Sequence, residues 1–357
     1  MKTVFRGKKI SGLMSVVPET VVKFEDEVNN YTFPPKQTLR LQKVMGYKQH
    51  RVVKETTATS DLCAAGLEYM LREGYIRKEE IGGVVVACTV PDHFIPPVSS
   101  LLHGKFGLDD EIVCLDISQG CAGFLVGLME AFLLLEYMPD RKVVVFAADV
   151  LSRKISKKDR NSYPLTGDAA GIAIVENDPN APDIHFILRN RGDIGSVLRI
   201  PAGGSRLPCS PETAILADMD GDGNLRAPDN LAMKGSEVFN FVQTEVPPLI
   251  EDVLRFAELT REEIEWYFFH QPNRFMLKKL AEKLGVPYEK MPMNTVEEFG
   301  NSSGACIPVS ITYNLPREMR EREFSCCLSA FGSGLTWGAM TMRLGRMNFC
   351  EMLISDC

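Results

Sequence analysis

Two segments rich in small and apolar residues constrain this chain more than any other feature. They are residues 121–135, CAGFLVGLMEAFLLL, and residues 302–315, SSGACIPVSITYNL. Each follows a strand-like run and a polar turn, and the order of elements around them repeats. In the first half a strand over 83–89 precedes a helix over 97–106. A strand over 112–117, the helix from Cys121, a strand over 142–147 and a Gly-Asp turn into 169–175 follow. In the second half a strand over 266–269 leads to a helix over 273–284. A second helix from near Ser302 to about Asn314, a strand over 325–329 and a Gly-rich turn into 335–344 complete it. Alternating strands and helices point to α/β layers. A helix apolar on all sides needs cover on all sides, so a duplicated unit would bury the two central helices between two sheets, where Gly and Ala permit close packing. Residues 177–182 and 203–230 are rich in Gly, Pro and Asp and read as a linker and an excursion, which puts the division into halves at 1–181 and 182–357. The residues from Arg346 onward read as an added tail.

Composition excludes several classes. With 357 residues, 45% of them hydrophobic and 24% charged, the chain can bury a large core. The net charge of −7 argues against general binding to nucleic acid or to an acidic membrane surface, which both need excess Lys and Arg. The apolar stretch 121–138 is broken by Glu130 and Glu136 and reads as a buried helix, with no membrane span. Ten cysteines fall short of disulfide-scaffold density, and MKTVFRGKKISGLM has no sustained apolar stretch, so a reducing cytoplasm is the expected compartment. No zinc-type spacing occurs. Asp218, Asp220, Asp222 and Gly223 have the opening spacing of a calcium loop, with Asp229 at its twelfth position; Pro211 and Pro228 argue against the flanking helices, and a surface turn explains the same letters. No metal site and no cofactor are expected.

Three residues stand at strand-to-helix turns. Cys121 follows Ser118-Gln119-Gly120 at the start of the long helix, where backbone N–H groups and the helix dipole favour thiolate; a small buried hydrophobe is the competing reading. His270 ends the run Trp266–Phe269, the strand end at which α/β folds place sites, although a satisfied core histidine reads equally well there. Asn301, in Phe299-Gly300-Asn301-Ser302-Ser303-Gly304, has an N-cap pattern and would start the second central helix as Cys121 starts the first. A thiol, an imidazole and a carboxamide on one pocket would form a set for thioester chemistry, the thiolate taking an acyl group and two donors stabilising an enolate oxygen.

The segments carrying these residues, together with Ala330-Phe331-Gly332-Ser333-Gly334-Leu335-Thr336-Trp337-Gly338, Gly167–Gly171 and Met233–Phe239, resemble the 3-oxoacyl-carrier-protein synthase III family from about residue 40 to 344. The resemblance implies a thiolase-like fold, a five-layer αβαβα sandwich of duplicated halves. It further implies a homodimeric acyltransferase of fatty-acid biosynthesis. An acyl thioester would load Cys121, and decarboxylative Claisen condensation with malonyl-acyl-carrier protein would follow. By the same resemblance His270 and Asn301 would bind the malonyl thioester carbonyl, and the backbone N–H groups of Cys121 and Ser333 would form an oxyanion hole. Phe331 and Arg160 would contact substrate, and Arg274 and Lys278 would help dock an acidic acyl-carrier protein. Arg153, Lys154, Lys157, Lys158 and Arg160 form a second basic cluster. Two departures matter. Ser333 stands where the family usually has Gly. Arg40–Tyr47 lacks the Trp and the Arg-Thr pair with which family members contact the adenine of CoA, so the donor is expected to be an acyl-carrier protein or an unusual acyl-CoA. The alternative is an acyltransferase or condensing enzyme of secondary-metabolite or surface-glycan synthesis using an acyl-carrier-protein donor.

Overall fold

The computed structural model describes residues Met1 to Cys357. Its main strands are β1 (Lys2–Phe5), β2 (Lys8–Pro18), β3 (Ile81–Cys88), β4 (Val113–Ser118), β5 (Lys142–Asp149), β6 (Ala169–Asn177), β7 (Ile184–Asn190), β8 (Trp266–Phe269), β9 (Glu323–Gly332), β10 (Thr336–Gly345) and β11 (Phe349–Ser355). The main helices are α1 (Thr59–Arg72), α2 (Val98–Phe106), α3 (Gly123–Leu135), α4 (Gly235–Phe256), α5 (Arg274–Leu284) and α6 (Cys306–Asn314). One mixed sheet has the order β11-β2-β6-β5-β3-β4, the other β1-β7-β10-β9-β8. In the first, β3 runs parallel to β4 and β5, whereas β6 is antiparallel to β2 and β5. In the second, β8 and β9 are parallel and the remaining pairs antiparallel.

Helices α3 and α6 lie between the two sheets. Phe124, Leu128, Phe132, Ile307 and Ile311 share one buried cluster with residues of β2, β5, β9 and β10, which explains why α3 is apolar on every face. Each such side chain contributes about 1.5–3 kcal/mol on burial. Helices α1 and α2 cover the outer face of the first sheet, and α4 and α5 that of the second. The result is the five-layer αβαβα arrangement. Strand β3, IGGVVVAC, is buried along its whole length, as a parallel strand with helices on both faces must be.

The sequence division at 181/182 falls between β6 and β7, while the chain ends cross over. β1 pairs antiparallel with β7 of the second sheet, and β11 pairs parallel with β2 of the first. The residues after Arg346 are thus an edge strand with its own core contacts, Phe349 and Cys350 being buried, and not an appended tail. The 203–230 excursion is held by Arg226, which is buried and paired with Asp159 (3.4 Å), Asp220 (3.0 Å) and Asp222 (2.6 Å). Asp218 accepts the N–H groups of Asp222 and Gly223 at 3.1 and 3.0 Å. A guanidinium therefore sits among the acids that suggested a calcium loop, and no set of His, Cys, Asp and Glu is gathered with metal-binding geometry.

Candidate active site

Cys121, His270 and Asn301 meet at one cavity of about 290 Å3; the first two stand at strand-to-helix turns as expected, whereas Asn301 follows a short helix, Thr295–Phe299, and joins a strand only through an isolated bridge to Thr166. Cys121 follows β4 and precedes α3 by two residues. His270 follows β8, its backbone N–H donating to Ser329 of the neighbouring β9 at 2.8 Å. The turn after it is fixed twice: Gln271 Nε2 donates to the carbonyls of Phe269 and Pro292, and Asn273 caps α5 by accepting from Met276 N–H. Asn301 Oδ1 accepts the Ser303 N–H at 3.0 Å, a turn contact in place of the helix cap that the sequence suggested, since the cap positions of the 303–305 turn and of α6 are Ser302 and Ala305.

Gly332 and Ser333, from the turn between β9 and β10, close over the thiol. Gly332 approaches so tightly that a Cβ placed there would lie 2.5 Å from Cys121 Cβ. Neither the Cys121 nor the Ser333 backbone N–H donates to a carbonyl elsewhere in the chain, so both remain open to an incoming oxygen. Gln119 Nε2 ties the two turns together by donating to the Ser333 carbonyl at 2.8 Å. Phe331 lines the cavity and meets the His270 ring edge-on at 5.5 Å between centroids. Most of the remaining wall is apolar, including Leu151, Ile155, Leu198, Met233, Phe241 and Met276, with Arg199 its one charged side chain, which suits an acyl chain or a thin flexible arm.

Electrostatics differ from the expectation at the thiol. Burial pushes Cys121 up to about 12, with Cys306 and Asp149 adding to the rise, against the opposing Ser303 hydroxyl and the cysteine's own N–H. The residue as a whole is half-buried and lines the cavity. Desolvation outweighs the helix terminus, and the resting group is a thiol. Burial likewise pushes the His270 imidazole down to about 3, against a smaller contribution from the Ser303 backbone. His270 is thus a neutral imidazole, able to donate one N–H.

Sequence reasoning missed Asp149 and Ser303. Asp149, at the end of β5, is buried and accepts the Thr89 and Val90 N–H groups at 2.6 and 3.0 Å. Desolvation raises its carboxyl to about 6, against the opposing Ser303 hydroxyl and the Thr89 and Val90 N–H groups. The same hydroxyl also opposes the rise at Cys121, which puts it between nucleophile and carboxylate. Ser303 has a φ of 52°, a conformation uncommon for a residue with a side chain. No local letter signals this link, since its three members lie on different strands and turns.

The other expected contacts are placed elsewhere. Arg160 does not line the cavity; its guanidinium lies 3.3 Å over the Phe33 ring. Arg274 is ion-paired with Glu297 and donates to the Lys43 carbonyl at 2.8 Å. Lys278 is exposed beside it, in a separate shallow groove, with its ammonium 6.0 Å from the Tyr288 ring centroid. In the second basic cluster Arg153 donates to the Lys54 and Thr57 carbonyls.

Fold and site together define an acyltransferase of the thiolase-like class. Residues 115–192 match the family model for 3-oxoacyl-[acyl-carrier-protein] synthase III, and 254–344 match the model for its C-terminal region. The beta-ketoacyl-[acyl-carrier-protein] synthase III of Rhodopirellula baltica is 31% identical over 95% of this chain and 99% of its own length. That of Syntrophomonas wolfei is 32% identical over 84% and 87%. The crystal structure of a 3-oxoacyl-(acyl-carrier protein) synthase from Burkholderia xenovorans superposes with a TM-score of 0.91, at 28% identity, over 99% of both chains. The chain belongs to the 3-oxoacyl-[acyl-carrier-protein] synthase III family, and is a condensing acyltransferase of the ketoacyl synthase type.

Proposed function

We propose that this protein takes an acyl group from a thioester onto Cys121 and condenses it with malonyl-acyl-carrier protein to give a 3-oxoacyl-acyl-carrier protein. The observation that carries the reading is the meeting of one thiol, one neutral imidazole and one carboxamide on a single apolar cavity. In the first half-reaction the Cys121 sulfur attacks the acyl carbonyl, the new C–S bond forms, and the donor's sulfur leaves and takes up a proton. The Cys121 proton passes to the Ser303 hydroxyl, with Asp149 as the carboxylate behind it. The N–H groups of Cys121 and Ser333 hold the tetrahedral oxyanion.

In the second half-reaction the malonyl thioester loses CO2, and the electron pair of the broken C–C bond becomes an enolate. His270 and Asn301 each donate an N–H to its oxygen. A donor that stays neutral suits this role, because the charge it stabilises develops only in the transition state. The enolate carbon then attacks the acyl carbonyl, the acyl–sulfur bond breaks, and Cys121 regains its proton.

Arg160 packed on Phe33 and the missing Trp of the 40–47 segment favour an acyl-carrier-protein donor over CoA. The basic side chains of the α5 surface are where that acidic partner would dock. Phe94 and Ile95, each 85% exposed on the loop after β3, form an apolar surface that a second copy would cover in a cytoplasmic homodimer. Intact-mass spectrometry tests the reading: an acyl adduct forms on the wild type and not on Cys121→Ala, faster from acyl-carrier protein than from acyl-CoA. No adduct from either donor refutes it.

A further inference from the structure

A second thiol lies beside the carboxamide. Cys306, the first residue of α6, is 2% exposed, and its sulfur is 3.3 Å from Asn301 Oδ1. The same sulfur receives the Ser302 hydroxyl at 3.7 Å and has the Gln271 carbonyl, next to His270, at 4.0 Å. The closer acceptor is Oδ1, and the thiol keeps its proton because burial pushes it up to about 11. Oδ1 thereby faces two donors, the Ser303 N–H at 3.0 Å and the Cys306 S–H. Turning the amide over would set its NH2 group against the Ser303 N–H and give up the S–H bond, so the oxygen stays inward. Both hydrogen bonds of the Asn301 side chain are made by Oδ1, which leaves Nδ2 for the cavity that Asn301 lines.

We propose that Cys306 is a positioning residue for Asn301, its thiol holding the carboxamide so that Nδ2–H points at the developing enolate. The inference rests on the condensing reading above for its kinetic consequence, while the orientation itself does not depend on it. The sulfhydryl is a weak donor, so its removal costs one modest hydrogen bond, with the Ser303 N–H still in place. Cys306→Ala should lower the rate of malonyl-acyl-carrier-protein decarboxylation by roughly three- to tenfold. Acylation of Cys121, in which Asn301 takes no part, should stay within about twofold of the wild type. Cys306→Ser retains a donor at this position and should restore decarboxylation to within about twofold.

The test measures both half-reactions in the three proteins and adds a readout independent of turnover. In protein labelled with 15N-asparagine, the Asn301 side-chain NH2 pair is assigned by its loss in Asn301→Ala. The pair should shift or broaden in Cys306→Ala and return to its wild-type position in Cys306→Ser. An unmoved NH2 pair in Cys306→Ala overturns the proposal, as does an equal fall of both half-reactions, which would mean a general packing defect. If the wild type takes no acyl group and releases no CO2, the condensing reading fails, and the NH2 signals still decide the orientation.

Discussion

Gly332→Ala puts a methyl group against the nucleophile, and its consequence can be worked from the distances. The added Cβ would stand 2.5 Å from Cys121 Cβ, 3.0 Å from Sγ and 3.5 Å from Cα, where ordinary contact begins at 3.4 Å. About 0.9 Å must therefore be opened at the closest pair. Gly332 is the last residue of β9, paired with Thr336 across the hairpin, and Cys121 is anchored by the buried helix that follows it. Both sides resist, so the shift divides between the β9–β10 turn and the cysteine side chain. Overpacking of this kind costs about 1–3 kcal/mol of stability, leaving a folded protein to assay. A displacement of the sulfur relative to the Ser333 N–H approaching 1 Å costs on the order of 10²-fold in rate. The assay is the time course of acyl adduct formation by intact mass at saturating donor, with urea denaturation run in parallel. Acylation within about twofold of wild type would show that the turn relaxes away from the thiol, and the argument that Gly332 is required for close approach would fail.

Other predictions test the electrostatics. His270 resists protonation until about pH 3 whereas the unfolded chain takes up its proton near 6.5. Its stabilising contribution is therefore complete above pH 6.5, declines as pH falls below that value and is lost by about 3. Urea titrations should show a drop from pH 7 to 5, on the order of a few kcal/mol, that His270→Gln reduces, and an equal drop in both proteins would contradict the assignment. Asp149→Asn keeps an oxygen for the Thr89 and Val90 N–H groups but removes the charge. Acylation should fall about 10- to 100-fold and lose its inflection near the carboxyl's value of about 6, so a retained inflection would point to another group. Arg226→Met leaves Asp159 buried without its partner and should cost about 3 kcal/mol in urea denaturation, partly recovered when Asp159→Asn is added. A cost that the second change leaves untouched would refute that pairing.

The sequence by itself determined the architecture of layers and pointed to three candidate site residues, because both leave local signals. An all-round apolar segment needs cover on every side, which identified α3 and α6 as central, and each turn leading into a helix carries its chemistry within a few letters of a Pro or Gly. Cys121, His270 and Asn301 became candidates this way and were singled out by the family resemblance, which alone supplied Phe331 and Ser333. The crossing of β1 and β11 into opposite sheets left no such mark, since strand pairing across more than a hundred residues is chosen by which edges lie free after folding. Only the tertiary structure decided the ionisation of the site. The helix terminus is a feature of the sequence and argues for thiolate, yet desolvation depends on every atom packed around the sulfur, and it prevails. The same holds for Asp149, Ser303 and Cys306, which lie far apart in the chain or carry no motif of their own. The partners of Arg160, Arg226 and Arg274 were likewise decided in three dimensions, because a guanidinium's partner is the group that folding brings within reach.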